Sequence, residues 1–286
     1  MVKKYILNTQ DYTFAHFEHE GFGGIHKYTA TPKKKGLPKL LVKHENSYAA
    51  CSEFFTSRIA ELLNIKTPTS YLMSIAPEDK GLFETPFVVG IEYIDDLTGV
   101  IPYDHMDDDP SLRFDLINAF ALYAMFGVHS DNLQCCYSPS RGIISIDFEQ
   151  YFGFFEKYKD LFNLSDKDIE RTTLDLLDYL KRNSFERDAR ICSDMLSEKL
   201  QIPAEKLYPQ FHFSMKRLCK ITEKELSPIY DALSEIYPIY AETFYYGYLL
   251  ILKKKIESYI PDAAHYIPLE QVTDATEYEP CKNRNL

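Results

Sequence analysis

Along the first ninety-odd residues apolar and polar positions alternate in short runs with a period close to two. "KKYIL", "IHKYTA", "KLLVKH", "TSYLMSI" and "FVVGIEYI" are rich in β-branched and aromatic residues and are separated by turn formers, which predicts five strands. One helical pattern interrupts them after the third run. Asn46 or Ser47 can cap it, Phe55, Ile59, Leu62 and Leu63 share one face, and Lys66 and Pro68 stop it. From Asp109 onward the period changes to that of helices. Asp109-Pro110 is a cap followed by proline at the first helical position, Leu112, Leu116, Phe120 and Ala124 repeat every four residues, and Gly127 closes the run. Ser165 and Asp168 resemble a capping box for a helix carrying Ile169, Leu176, Leu177 and Leu180. Further helices are predicted over 188–200, 204–219, 227–236 and 238–258, with Pro203, Pro228 and Pro238 between or at their starts. The expectation is an α+β fold in two lobes: a mainly β lobe over residues 1–94, a helical lobe over 95–265, and a loose tail over 266–286 without periodicity.

Composition narrows the function classes. The chain has 286 residues, 45% of them hydrophobic, enough for a sizeable core without disulfides. A net charge of −11 argues against a nucleic-acid partner, whose phosphates are held by clustered Lys and Arg. No run approaches the ~20 apolar residues of a membrane span, and the stretch after Met1 is too short for a signal peptide. "YYGYLLIL", ended by Lys253, Lys254 and Lys255, reads as a buried C-terminal helix. The six cysteines show no metal-type spacing, so reduced thiols and a cytoplasmic location are expected.

Three pieces could carry chemistry. Gly21, Gly23 and Gly24 precede a strand, and glycines let backbone approach phosphates, although a plain hairpin turn has the same composition. The "TPKKKGLPK" stretch beyond them reads as a solvated hairpin. Lys43 interrupts the otherwise apolar "KLLVK" strand, and Glu53 follows ten positions later among packing residues of the helix. A strand Lys reaching a helix Glu positions ATP phosphates in protein kinases; an edge-strand surface lysine with a solvated glutamate is the other reading. Finally, His129, Asp131 and Asn132 lie in "HSDN", and Asp147 ends the "GIISID" strand fifteen positions after Asn132. Hard oxygen ligands at such places suit magnesium, which leaves substrate phosphates and water to complete its shell.

In this order the motifs resemble the HipA-like kinases, a branch of the protein-kinase-like fold that is also similar to phosphatidylinositol 3- and 4-kinases. The register is carried by "GVHSDN" at His129, Asp131 and Asn132, by "IDF" at Asp147, and by the "LLVKHE" strand with its following helix, over roughly residues 20–155. The resemblance implies a two-lobed kinase-like fold using ATP and Mg2+ to phosphorylate a protein Ser or Thr hydroxyl. It implies phosphate binding by Lys43 and the glycines, orientation of Lys43 by Glu53, and magnesium on Asn132 and Asp147. It also implies adenine recognition by backbone near Glu92, Tyr93 and Ile94, and help to the acceptor from His129 or Asp131. The chain departs from the family where Gly127 and Val128 stand in place of its leading Asp and Arg. Three other readings remain open: a pseudokinase that binds nucleotide as an interaction module, a lipid or small-molecule kinase, and a non-kinase metal site of His129, Asp131 and Asp147.

Overall fold

The computed structural model describes residues 5–17, 27–43, 47–83, 85, 87–106, 108–126, 134–148, 185–236 and 241–260. The glycine-rich stretch, the HSDN loop, Gly127, the helix expected after Ser165 and the tail lie outside the described residues.

Six strands form one sheet rather than five. They are β1 (Ile6–Asn8), β2 (Tyr12–His16), β3 (Lys27–Pro32), β4 (Leu40–Lys43), β5 (Ser70–Ser74) and β6 (Phe87–Glu92). Their order across the sheet is β1-β5-β6-β4-β3-β2. Among the described residues β1 pairs with β5 in parallel and the other neighbours in the sheet pair antiparallel. The strand not expected from the sequence is β2, so the helix follows the fourth strand and not the third. Its run is short, follows polar Asn8 to Asp11, and lies mostly exposed at the sheet edge. Pairing with β3 supplies what local propensity does not. The lysine-rich connection between β3 and β4 is the solvated turn expected, with Gly36 at φ 91°.

Alternation along each strand sorts side chains to two faces. Leu40, Val42, Met73 and Val88 pack on one face with Tyr12 and Phe83. Gly90 belongs to this face, where a Cβ would lie 2.6 Å from Met73 Sδ and 2.8 Å from Leu40 Cδ1. The other face carries Leu72, Val89 and Ile91, which join the main core with α1 (Ser47–Leu62) through Phe54, Phe55 and Ile59. Helix α1 ends as Asn64 turns left-handed at φ 52°, and the Ile65 amide donates to Ala60 O.

Helix α2 (Pro110–Phe126) starts as expected, with Asp109 Oδ1 accepting from the Ser111 amide at 3.0 Å. Its period of four marks one face, yet nearly every residue from Leu112 to Phe126 is buried. It is the central helix, packed by α3 (Phe185–Leu200) and α4 (Ala204–Lys220). Its polar positions are paired: Asn118 accepts from Ser214, and Asp115 accepts from Lys66 at 2.7 Å. Helices α5 (Glu223–Ile236) and α6 (Ala241–Tyr259) complete the described part. The expected helices begin within about four residues of those observed, and α5 starts earlier than expected because Pro228 is accommodated inside it.

The buried C-terminal helix is α6, whose Tyr245, Tyr248, Leu249, Leu252 and Ile256 sit in the main core. Tyr245 meets Phe55 of α1 at 4.4 Å between ring centroids, so sheet and helical halves share one core. Each such fully buried side chain contributes roughly 1.5–3 kcal/mol. Between α2 and α3 a two-stranded hairpin, β7 (Cys135–Ser138) and β8 (Gly142–Ser145), leads to Asp147. The described cysteines are all free thiols. Among the described residues no helix is long and apolar enough to cross a membrane.

Candidate functional site

Register places the chemistry. Lys27 stands opposite Lys43, Lys43 opposite Val89, and Val89 opposite Leu72. The Phe17 amide donates to Lys27 O at 2.9 Å, extending the same row past the end of β2. Directly opposed residues share a face, so Phe17, Lys27 and Lys43 lie on the face that α1 covers farther along. Where α1 stops covering it, this face opens into a cleft lined by Phe17, Lys27, Leu41, Lys43 and Glu53 among others.

The polar end of the cleft is built around Lys43. Its Nζ lies 3.2 Å from Glu53 Oε2 and 2.5 Å from Asp147 Oδ1. Lys43 and Glu53 are each only 2% exposed, whereas the Asp147 side chain is 31% exposed. A buried ammonium is costly unless paired, and here it has two carboxylates. The two readings of Lys43 and Glu53 are therefore separated: they are a buried pair in the cleft, not a surface lysine and a solvated glutamate. Glu53 has a second duty, because its Oε2 accepts from the Phe148 amide at 2.7 Å. One carboxylate of α1 thus ties the strand lysine to the segment that carries Asp147.

Asp147 adopts φ 58°, a left-handed conformation that Asp tolerates better than most side chains. Phe148, fully buried beside it, anchors that turn in the core. Burial pushes the Asp147 carboxyl up. The charge of Lys43, its hydrogen bond and the charge of Lys27 outweigh burial and hold the carboxyl below its ordinary value.

The other end of the cleft is apolar, lined by Leu41, Ile91, Ile94, Leu97 and Ile146. Phe17 and Tyr93 meet edge to face at its mouth, 6.4 Å between centroids. Residues 92–94 run on from the last residue of β6 at this end. The Glu92 amide donates to Thr69 O at 2.8 Å and the Tyr93 amide to Lys39 O at 3.0 Å. Both donors are committed to the residues just before β5 and β4, which leaves Ile94 as the candidate donor of the three. The Glu92 side chain turns to Arg141 Nη2 at 2.7 Å. That hydrogen bond, against burial, holds its carboxyl low and ties the end of β6 to the β7–β8 hairpin.

The structure thus brings Lys43, Glu53, Glu92, Tyr93, Ile94 and Asp147 to one cleft. Gly21, Gly23, Gly24, His129, Asp131 and Asn132 lie outside the described residues. Sequence reasoning missed Lys27 and Phe17. Lys27 opens a strand next to Tyr28, which locally resembles any solvated strand end. Only the pairing with Lys43 marks it. Among the described residues no group of three or more His, Cys, Asp or Glu could hold a metal ion.

Neither a protein-family model nor a curated protein matches the sequence. Among solved structures the chain is similar to the crystal structure of a Helicobacter pylori proinflammatory kinase, CtkA. The similarity has 11% sequence identity and a TM-score of 0.42, over 86% of this chain and 99% of that one.

Proposed function

We propose that this chain is an ATP- and magnesium-dependent phosphotransferase of HipA-like type acting on a protein Ser or Thr hydroxyl. The observation that carries the reading is the position of Lys43, held between Glu53 and Asp147 at the polar end of a cleft whose other end is apolar. A flat apolar base joined to a polyanion is the ligand class with that distribution of chemistry.

Asp147, whose side chain is 31% exposed, carries hard oxygen donors that suit magnesium, with Asn132 as its companion from the sequence. Magnesium, when bound, supplies charge neutralisation at the phosphates. Lys43 holds phosphate oxygens as a fixed cation, and Glu53 keeps its ammonium aimed into the cleft. Leu41, Ile91 and Ile146 exclude water around the base. Ile94 offers its amide to the base edge. At the acceptor, His129 or Asp131 takes the hydroxyl proton in place of the family's Asp, whose position Gly127 occupies. General-base help is worth about 10²–10⁴-fold, and phosphoryl transfer depends mostly on positioning and charge.

Gly127 is the specific observation that favours a second reading, the pseudokinase. One experiment separates them: purified protein with labelled ATP and magnesium, with and without candidate protein acceptors, reading binding and transfer. The kinase reading expects magnesium-dependent binding that Asp147→Ala abolishes, and label on an acceptor or on the chain itself. Binding with no label on any acceptor selects the pseudokinase. No binding at all refutes both.

A further inference from the structure

We propose that Arg141, acting through Glu92, and Asp96 are positioning residues that hold the segment after β6 in place for the base. The inference rests on the nucleotide reading for the identity of the ligand.

Residues 93–97 belong to no strand, yet Tyr93, Ile94, Asp95 and Leu97 all line the cleft. Backbone outside a ladder takes its position from the other bonds its residues make. Here the β7–β8 hairpin supplies three of them in succession. Arg141 Nη2 donates to Glu92 Oε1 at 2.7 Å. Asp96 Oδ1 accepts from Ser138 Oγ at 2.8 Å, and its Oδ2 accepts from the Ser140 amide at 3.0 Å. Thr98 and Tyr137 exchange both backbone hydrogen bonds, each at 2.8 Å. Glu92 Oε2 also accepts from the Thr69 amide at 3.3 Å, so one carboxylate joins the sheet, the segment and the hairpin. The far strand of that hairpin, β8, runs on through Ile146 to Asp147, which also line the cleft. A single hairpin therefore sets the apolar end of the cleft relative to its polar end. Among the described residues Arg141 does not line the cleft, and its side chain is 43% exposed. An ion pair that open adds little to stability. Its consequence lies in the segment it anchors, because a ligand must itself order whatever part of its site is left loose.

Calorimetry on the full chain with magnesium tests this, comparing ATP with inorganic tripolyphosphate for wild type, Arg141→Ala, Arg141→Lys, Asp96→Ala and Glu92→Gln. The readout is the ratio of the two affinities, which follows the nucleoside and not the phosphates. A part-exposed ion pair is worth up to about fivefold. Arg141→Ala should therefore lower the ratio about threefold to fivefold, and Arg141→Lys should restore part of it. Asp96→Ala removes two bonds and should lower the ratio at least as much. Glu92→Gln separates anchoring from charge. Positioning lowers the ratio when either partner is removed, whereas a field of Arg141 on the phosphates would act on both ligands and would strengthen both in Glu92→Gln. A wild-type gain from the nucleoside that Arg141→Ala keeps, or an equal loss for both ligands, overturns this inference and leaves the nucleotide reading standing. If wild type binds ATP no better than tripolyphosphate, or binds neither, the nucleotide reading fails and this inference fails with it.

Discussion

Glu53→Ala removes one carboxylate that makes two contacts at once, so its cost can be worked from both. The carboxylate is 2% exposed and accepts from Lys43 Nζ at 3.2 Å and from the Phe148 amide at 2.7 Å. Leaving the buried Phe148 amide without its acceptor costs about 1–3 kcal/mol. Lys43 keeps Asp147, so the full penalty of an unpaired buried charge, about 3–5 kcal/mol, is not incurred, and the total should be roughly 3 kcal/mol. Glu53→Gln keeps an oxygen for the Phe148 amide and loses only the charge, so about half that cost is expected. Lys43→Met leaves Glu53 and Asp147 without the ammonium between them and should cost about 3–4 kcal/mol. In the double variant Lys43→Met/Glu53→Gln the uncharged amide no longer needs a cation. The two losses should then fall short of additivity by at least about 1.5 kcal/mol. Urea unfolding followed by far-ultraviolet circular dichroism is the assay, since the chain has no tryptophan. Additivity within about 0.5 kcal/mol would refute the claim that Lys43 and Glu53 form one unit, and equal costs for Ala and Gln would refute the role of the Phe148 amide.

Two further outcomes are expected away from the cleft centre. His212 stacks on Tyr208 at 5.3 Å and meets Tyr259 edge on at 5.4 Å. Burial, and then the charge of Lys216, push its pKa down to about 4. The unfolded chain therefore takes up the proton first. The stability His212 contributes is complete above its unfolded pKa near 6.5 and is lost as pH falls through the window toward 4, about 3 kcal/mol in all. Urea midpoints at pH 7 and pH 4.5 should differ less in His212→Phe than in wild type, and equal pH dependence in both proteins would exclude His212 as the source. Gly142 has φ 88°, and a Cβ there would lie 2.3 Å from Asp115 Oδ2 and 2.8 Å from Lys66 Nζ. Gly142→Ala should lower stability by about 2 kcal/mol, read as a fall in Tm, and an unchanged Tm would show that the Lys66–Asp115 pair shifts without cost.

Much of the local structure is written in short-range patterns. Alternation marked β1, β3, β4, β5 and β6, and Asp109-Pro110 marked the start of α2, because these features depend on residues within a few positions of each other. The same holds for Lys43 and Glu53 as candidates: a lysine in an apolar strand and a glutamate on a packing face stand out against their neighbours. The strand β2 and the burial of α2 on every side were not legible. An edge strand is stabilised by the partner it pairs with, and a central helix is covered by α3 and α4, which arrive from far along the chain.

The site followed the same division. The sequence alone determined which residue types were available: a strand lysine, a helix glutamate, and an aspartate at the end of β8's run. Tertiary structure decided that Lys43 bonds Asp147 across 104 positions, that Glu53 also takes the Phe148 amide, and that Arg141 meets Glu92. It also decided that Lys27 shares a row with Lys43. A one-residue change of register would turn Lys27 to the opposite face, and nothing in the neighbours of Lys27 specifies that register. It is set by the hydrophobic faces of the whole sheet, which must bury Leu40, Val42, Met73 and Val88 on one side and Leu72, Val89 and Ile91 on the other.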